Sequence, residues 1–118
     1  MRELHAFNAV LLIVANGLAA GWGFVYFRRK RTPGRIYAHL LALAQALVIA
    51  QVAIGLLLLS EGSSSPDRLH PLYGALALLA VLSPWVYAPP VPARRLAWFS
   101  GAALVATALS IRAYVTGL

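Results

Sequence analysis

The side chains in this sequence that could take part in the widest range of chemistry are its three histidines, His5, His39 and His70. Cysteine is absent, which excludes disulfides, cysteine-ligated zinc and iron–sulfur clusters. His5 and His70 open the first and third of four apolar runs, so they lie at similar depth if those runs are helices of one bundle. His39 lies near the start of the second run, which an up-and-down bundle would place at the opposite end from His5 and His70. The spacing therefore predicts one histidine pair and one solitary histidine.

We interpret this pair as the two axial ligands of a b-type haem, with His5 and His70 binding the iron. Short connections favour a square bundle in which the first and third helices lie diagonally opposite. Neighbouring axes about 8–10 Å apart give a diagonal of roughly 11–14 Å, which suits two imidazoles with a porphyrin iron between them. Gly74 lies one turn after His70 on the same face, where it leaves space for the edge of a macrocycle.

Other polar residues near the same end are candidates to support the haem. Asn8 and Asn16 share a helix face with His5, so that face is predicted to point into the bundle, and an Asn there can orient an imidazole. Arg68 and Arg112 are predicted on the same side of the membrane, where they could neutralise haem propionates through charge-assisted hydrogen bonds.

Two alternatives for the histidines stay open. Both can be structural residues at the membrane interface, because His70 precedes Pro71, and proline favours the first position of a helix. A metal site formed by histidine and carboxylate, using Glu3, Glu61 or Asp67, is the second alternative.

Composition indicates a chain embedded in a membrane. Hydrophobic residues make up 61% and charged residues 11% of the 118 residues, whereas soluble domains are about 45–50% apolar and about 25% charged. Each crossing of a bilayer needs about 20 residues. The sequence predicts an all-α, up-and-down bundle of four transmembrane helices, at about 4–27, 36–59, 69–87 and 96–115, forming a single integral membrane domain over residues 1–118.

The distribution of charge predicts the orientation. Basic residues concentrate in the connections 28–35 and 88–95, and short cytoplasmic loops are rich in Lys and Arg. We therefore expect these loops in the cytoplasm, both termini on the non-cytoplasmic side, and a multi-pass protein of the plasma membrane. The net charge of +7 comes largely from basic residues in these loops, so we expect no nucleic-acid partner. An aromatic belt is expected at the basic side, formed by Trp22, Tyr26, Tyr37, Trp85, Tyr87 and Trp98.

Small and amide side chains predict how the helices pack. Gly17 and Gly21 form a small-xxx-small pair in the first helix, and a stripe of alanines in the second helix is expected to let backbones approach. Gln45 and Gln51 are expected to form hydrogen bonds between helices. The alanine stripe consists of Ala42, Ala46, Ala50 and Ala53.

The segment 68–74, which reads Arg-Leu-His-Pro-Leu-Tyr-Gly before an apolar helix, resembles four-helix membrane cytochromes of the b561 kind and half of a haem A synthase. Those families place haem-ligating histidines on helices of a compact bundle, so the resemblance implies haem ligation and electron transfer. It covers the second and third helices. The families usually carry matched histidine pairs for more than one haem, whereas this chain has one matched pair and the solitary His39.

We expect a small membrane cytochrome, or a subunit of a redox complex, with haem b as cofactor and quinone as a candidate exchange partner. The alternative is a cofactor-free accessory subunit that packs against other membrane subunits or against further copies of the chain. A small transporter is less favoured, because no carboxylate lies within an apolar run. Nothing in the sequence indicates an independent hydrolase.

Overall fold

The computed structural model describes residues 2–62 and 69–116, which form helices and turns and contain no strand. Four segments are long and apolar enough to cross a membrane: Arg2–Arg28, Arg35–Ser60, Leu69–Tyr87 and Pro92–Thr116. This confirms the predicted all-α architecture of four long helices. The helices are α1 (Arg2–Arg28), α2 (Arg35–Ser60), α3 (Leu69–Leu82), α4 (Pro84–Tyr87) and α5 (Pro92–Thr116).

Prolines account for the main differences from the predicted boundaries. The third span is broken at Ser83, and the single turn α4 starts with Pro84, which has no N–H to continue the hydrogen bonding of α3. The fourth helix begins at Pro92 instead of residue 96. The first position of a helix does not need an N–H donor, so Pro92 can start this helix before the predicted boundary.

The helices are arranged up and down in a square. α1 packs against α2 and α5, α3 packs extensively against α5 and less extensively against α2, and α1 and α3 are diagonal. Asn8, near the start of α1, donates to the carbonyl of Leu47 in α2, and His70, at the start of α3, contacts the carbonyl of Ala113 near the end of α5. Consecutive long helices are therefore antiparallel.

This topology collects the charged residues at two opposite ends. We call the end where α1 finishes and α2 and α5 begin the basic end, and the other the histidine end. Aromatic side chains predicted as a belt contact one another at the basic end, as in the pairs Trp22–Tyr37 and Tyr87–Trp98. Tyr37 also shares a hydrogen bond of 2.9 Å with Ser100.

The interior is built from small side chains. Leu12, Val48, Val81 and Ala106 form one buried cluster, and a second, between α1 and α5, contains alanines only: Ala19, Ala20 and Ala103. Alanine lets helix backbones approach closely, and in lipid such packing replaces the hydrophobic driving force between helices.

Amide side chains join the helices as predicted. Asn16 is fully buried and donates to the carbonyl of Ala44 in α2 at 3.3 Å. Gln45 donates to the carbonyl of Val81 in α3 at 3.4 Å and accepts from the indole N–H of Trp85 at 2.9 Å. Interhelical hydrogen bonds of this kind hold apolar helices in register.

The prediction for the alanine stripe of α2 is wrong. Ala42, Ala46 and Ala53 are exposed and Ala50 is half-buried, so the stripe faces away from the other helices. Gly21 of α1 is also exposed. Large apolar side chains cover the same outer surface, which suits contact with lipid because soluble monomers rarely expose so large an apolar area. Among them are Phe7, Val14, Leu18, Phe24, Ile36 and Leu79.

Candidate functional site

The structure brings His5 and His70 together at the histidine end. Both lie in the first turn of their helices, α1 and α3, and both are half-buried. Their ring centroids are 6.0 Å apart and their planes are inclined by 73°. Two imidazoles from diagonal helices therefore meet across the interior of the bundle.

The orientation of His70 is held by the backbone of α5. Its Nδ1 lies 2.7 Å from the carbonyl oxygen of Ala113. A carbonyl can only accept, so Nδ1 carries the proton and Nε2 carries the free lone pair. A backbone carbonyl on Nδ1 is a frequent support of metal-ligating histidines, because it fixes both tautomer and ring orientation.

His5 is held less firmly, through a chain of amides. The amide nitrogen of Gln51 lies 3.4 Å from Nε2 of His5, and the Gln51 oxygen accepts from Asn8 at 2.9 Å. The first distance is long for a hydrogen bond, so it costs little to break. Asn8 donates to Gln51 and Leu47, so it supports His5 only through Gln51, not directly as the sequence suggested.

The other ring nitrogen of His5, Nδ1, is buried and has no hydrogen-bond partner in the part of the chain that the structure describes. A buried polar atom without a partner costs about 1–3 kcal/mol. Such atoms often mark a place where a ligand or an ordered water completes the hydrogen bonding.

The two imidazoles line a cavity of about 550 Å³, and residues of all four long helices contribute to its wall. Its volume is within the range of about 300–1,000 Å³ that is typical of small-molecule and cofactor sites. Apolar side chains form most of the wall, including Ala9, Leu12, Val48 and Ala77. The cavity is therefore largely apolar, and its polar lining side chains include Arg2, His5, Gln51, His70 and Ser110.

Two glycines make room beside the histidines. A methyl group on Gly55 would lie 3.3 Å from Cε1 of His5, which is a tight contact, whereas one on Gly74 would meet nothing within 4 Å. Gly74 lines the cavity, as predicted, and leaves open space there. Gln51 and Gly55 also belong to the site but were not predicted there, although their spacing of four residues places them on one face of α2.

The arginine that lines the cavity is not one of those predicted to neutralise haem propionates. Arg112 is exposed, its guanidinium lies 5.8 Å from the ring centroid of Tyr73, and it is not among the cavity-lining residues. Arg2, in the first turn of α1, lines the cavity instead. Arg68 lies outside the described residues. His39 is exposed and its Nδ1 lies 2.8 Å from the carbonyl of Arg35, at the basic end.

Comparison with known proteins leaves the site to be argued from its geometry. No family model, curated protein or solved structure matches this chain. The resemblance to b561-type cytochromes accordingly stays a prediction.

The donor set suits a haem better than a bare metal ion. Within residues 2–62 and 69–116, no three His, Cys, Asp or Glu side chains come together as a metal site, whereas a structural zinc site uses four ligands. Glu3 and Glu61 thus join no such group, and Asp67 lies outside the described residues. Two imidazoles are, however, the complete protein ligand set of a six-coordinate haem.

The spacing of the rings passes a simple test of fit. Metal–imidazole bonds of about 2 Å, plus roughly 1 Å from each nitrogen to its ring centre, separate two axial imidazole centres by about 6 Å. The observed 6.0 Å satisfies this distance, and the surrounding cavity supplies the volume. The spacing and the volume are therefore compatible with a haem between His5 and His70.

Proposed function

We propose that this protein is a membrane-embedded b-type cytochrome that holds one haem between His5 and His70 and takes part in electron transfer, alone or as a subunit of a redox complex. The observation that carries the proposal is the 6.0 Å spacing of the two imidazoles inside a cavity of about 550 Å³.

The residues of the chain divide the work of binding. His5 and His70 would supply the imidazole nitrogens that hold the iron, and the hydrogen bond to the carbonyl of Ala113 would leave the lone pair of His70 on Nε2. Arg2, which lines the cavity, could pair with a propionate. The bound haem would supply iron that changes between the ferrous and ferric states, and the apolar wall would influence its reduction potential.

Ligation replaces weak contacts and keeps strong ones. If Nε2 of His5 binds iron, it gives up only the 3.4 Å contact with Gln51, while the 2.7 Å bond of His70 to Ala113 is retained. Because the four long helices have the length and composition of membrane spans, we propose quinone, a redox carrier dissolved in the bilayer, as the exchange partner.

Visible absorption of the detergent-purified protein tests this proposal. We expect a Soret band and, after dithionite reduction, a sharp α-band, with haem and protein in a ratio of about 1:1. Protein purified without haem should regain these bands on titration with haemin. A spectrum that stays featureless after expression with ample haem and after haemin titration would overturn the proposal and favour the cofactor-free accessory subunit.

We further propose that the chain crosses the plasma membrane with the basic end in the cytoplasm and both termini outside. Seven basic residues belong to the basic end, whereas the chain's carboxylates, Glu3, Glu61 and Asp67, belong to the other end or its connection. The bias of Lys and Arg toward cytoplasmic loops supports this orientation. The seven are Arg28, Arg29, Lys30, Arg31, Arg35, Arg94 and Arg95.

The absence of cysteine makes this orientation directly measurable. Thr32→Cys in the α1–α2 connection and Ser60→Cys at the end of α2 each place one thiol at an exposed position. In intact spheroplasts, a membrane-impermeant maleimide should label the Ser60→Cys variant and leave the Thr32→Cys variant unlabelled. Both should react after lysis, which controls for accessibility. The reverse pattern in spheroplasts would refute the proposed orientation.

A further inference from the structure

A second cavity lies far from the histidines, on the outer surface between α1 and α5 near the basic end. It is a groove of about 490 Å³, and Ser100 is its one lining residue with a polar side chain. The Ser100 hydroxyl already shares a hydrogen bond with Tyr37. The groove therefore offers no free polar group to a ligand and suits a hydrocarbon chain. Its floor and sides include Gly17, Gly21, Phe24, Phe27, Gly101 and Leu104.

The groove leads to a cluster of positive charge. Phe27, which lines it, is followed directly by the exposed residues Arg28, Arg29, Lys30 and Arg31, and Arg94 lies one turn before the lining residue Ala97. The guanidinium of Arg28 lies 5.8 Å from the ring centroid of Phe24, a residue of the groove itself. The apolar groove and the basic cluster are thus continuous.

In residues 2–62 and 69–116, no acidic side chain belongs to the end of the bundle that carries this cluster. The sequence contains three acidic residues: Glu3 starts α1, Glu61 caps the end of α2, and Asp67 belongs to the connection between α2 and α3. None of them belongs to the basic end. The described part of the chain therefore leaves this charge available to an anion from outside the polypeptide.

We propose that the groove binds one anionic phospholipid, with an acyl chain between α1 and α5 and the phosphate among Arg28, Arg29 and Arg94. Charge complementarity selects this occupant. A zwitterionic lipid would bring its own cation to the cluster, and a second copy of the chain would bring seven more. Basic patches beside membrane helices bind anionic head groups in this manner, at about 1 kcal/mol per Lys or Arg.

Native mass spectrometry of the detergent-purified protein provides the test. The probes are phosphatidylglycerol and phosphatidylcholine with identical palmitoyl and oleoyl chains, so only the head group differs. We expect phosphatidylglycerol to bind at least tenfold more tightly, with one lipid retained per chain. The double variant Arg28→Gln/Arg29→Gln should lose about 25-fold in affinity for phosphatidylglycerol, about fivefold per charge. Arg112→Gln, at the histidine end, is the matched control and should change nothing.

Filling the groove tests the acyl-chain half of the proposal. A methyl group on Gly21 or Gly101 would meet nothing within 4 Å, so Gly21→Leu and Gly101→Leu occupy the groove without a clash at the first added carbon. Both should lower the affinity for phosphatidylglycerol at least tenfold while helical circular dichroism is unchanged. Ala42→Leu, on the exposed face of α2, is the control and should bind like the wild type.

Three results would overturn the lipid site. Equal affinity for the two head groups would show that the basic cluster does not select an anion. Unchanged binding in both filled variants would place the lipid elsewhere. A dimer that Gly21→Leu and Gly101→Leu dissociate, with phosphatidylglycerol binding intact, would assign the groove to a second copy. None of these measurements involves the histidine cavity, so they are independent of the haem proposal.

Discussion

Replacement of His70 by alanine is expected to abolish haem binding and to give the largest change in the visible spectrum of any single substitution. The variant lacks one of the two proposed haem ligands and leaves the carbonyl of Ala113 without its imidazole donor. Changes to the hydrogen-bond partners of a ligand already cost about 10–100-fold in affinity, so loss of the ligand itself should exceed 100-fold. Haemin titration followed at the Soret band measures the effect.

His5→Ala should behave in the same way, since His5 occupies the equivalent position in α1. His39→Ala is the matched control, because His39 is exposed at the basic end and should bind haem like the wild type. Free imidazole is small enough to enter the vacated space and should restore a six-coordinate spectrum to either variant, which a merely structural role would not predict. A reduced α-band that survives in both alanine variants would contradict the assignment of the ligands.

Gly23→Ala is expected to cause the largest loss of stability. A methyl group there would overlap the hydroxyl of Ser100, and would lie 2.7 Å from Cβ of Ser100 and 3.0 Å from the hydroxyl of Tyr37. Overpacking of a close interface costs about 1–3 kcal/mol, and loss of the Tyr37–Ser100 hydrogen bond adds about 0.5–1.5 kcal/mol. Thermal unfolding in detergent, followed by circular dichroism, should show a clearly lower Tm.

The control is the neighbouring substitution Gly21→Ala, where nothing lies within 4 Å of the added carbon. It should leave Tm unchanged or raise it, because alanine favours helix over glycine by about 1 kcal/mol. Adding Ser100→Gly to Gly23→Ala removes the overlapping side chain and should recover part of the loss. Equal Tm values for the Gly23→Ala and Gly21→Ala variants would show that the α1–α5 interface is not as close as the structure indicates.

The long helices could be predicted because their signals are local. Four apolar runs of sufficient length, separated by turn formers and basic residues, indicate four helices whatever their partners are. Boundaries were harder at the prolines, where the same residue type can end one helix and start the next. Pro84 begins the short α4, and Pro92 begins α5, because a missing N–H is harmless at a first helical position.

The candidate site could be predicted only in outline. The sequence places His5 and His70 at the same depth on diagonal helices, but the 6.0 Å between their rings depends on helix rotation. The carbonyl of Ala113, which orients His70, has no signature at all, since every residue carries the same carbonyl. Gln51 and Gly55 join the site from α2 because of packing that no local pattern encodes.

The rotation of each helix about its own axis therefore separates what could be predicted from the sequence from what only the tertiary structure decides. Composition and spacing by themselves determined four long apolar helices, a basic end and a histidine end, because these properties depend on the order of residues along the chain. The direction in which each face points was decided by tertiary packing. Helices that are apolar on every side, such as α2 with its outward alanine stripe, have no polar face to mark the exterior. Contacts between small side chains and interhelical hydrogen bonds make that choice, and with it they form the cavity around His5 and His70.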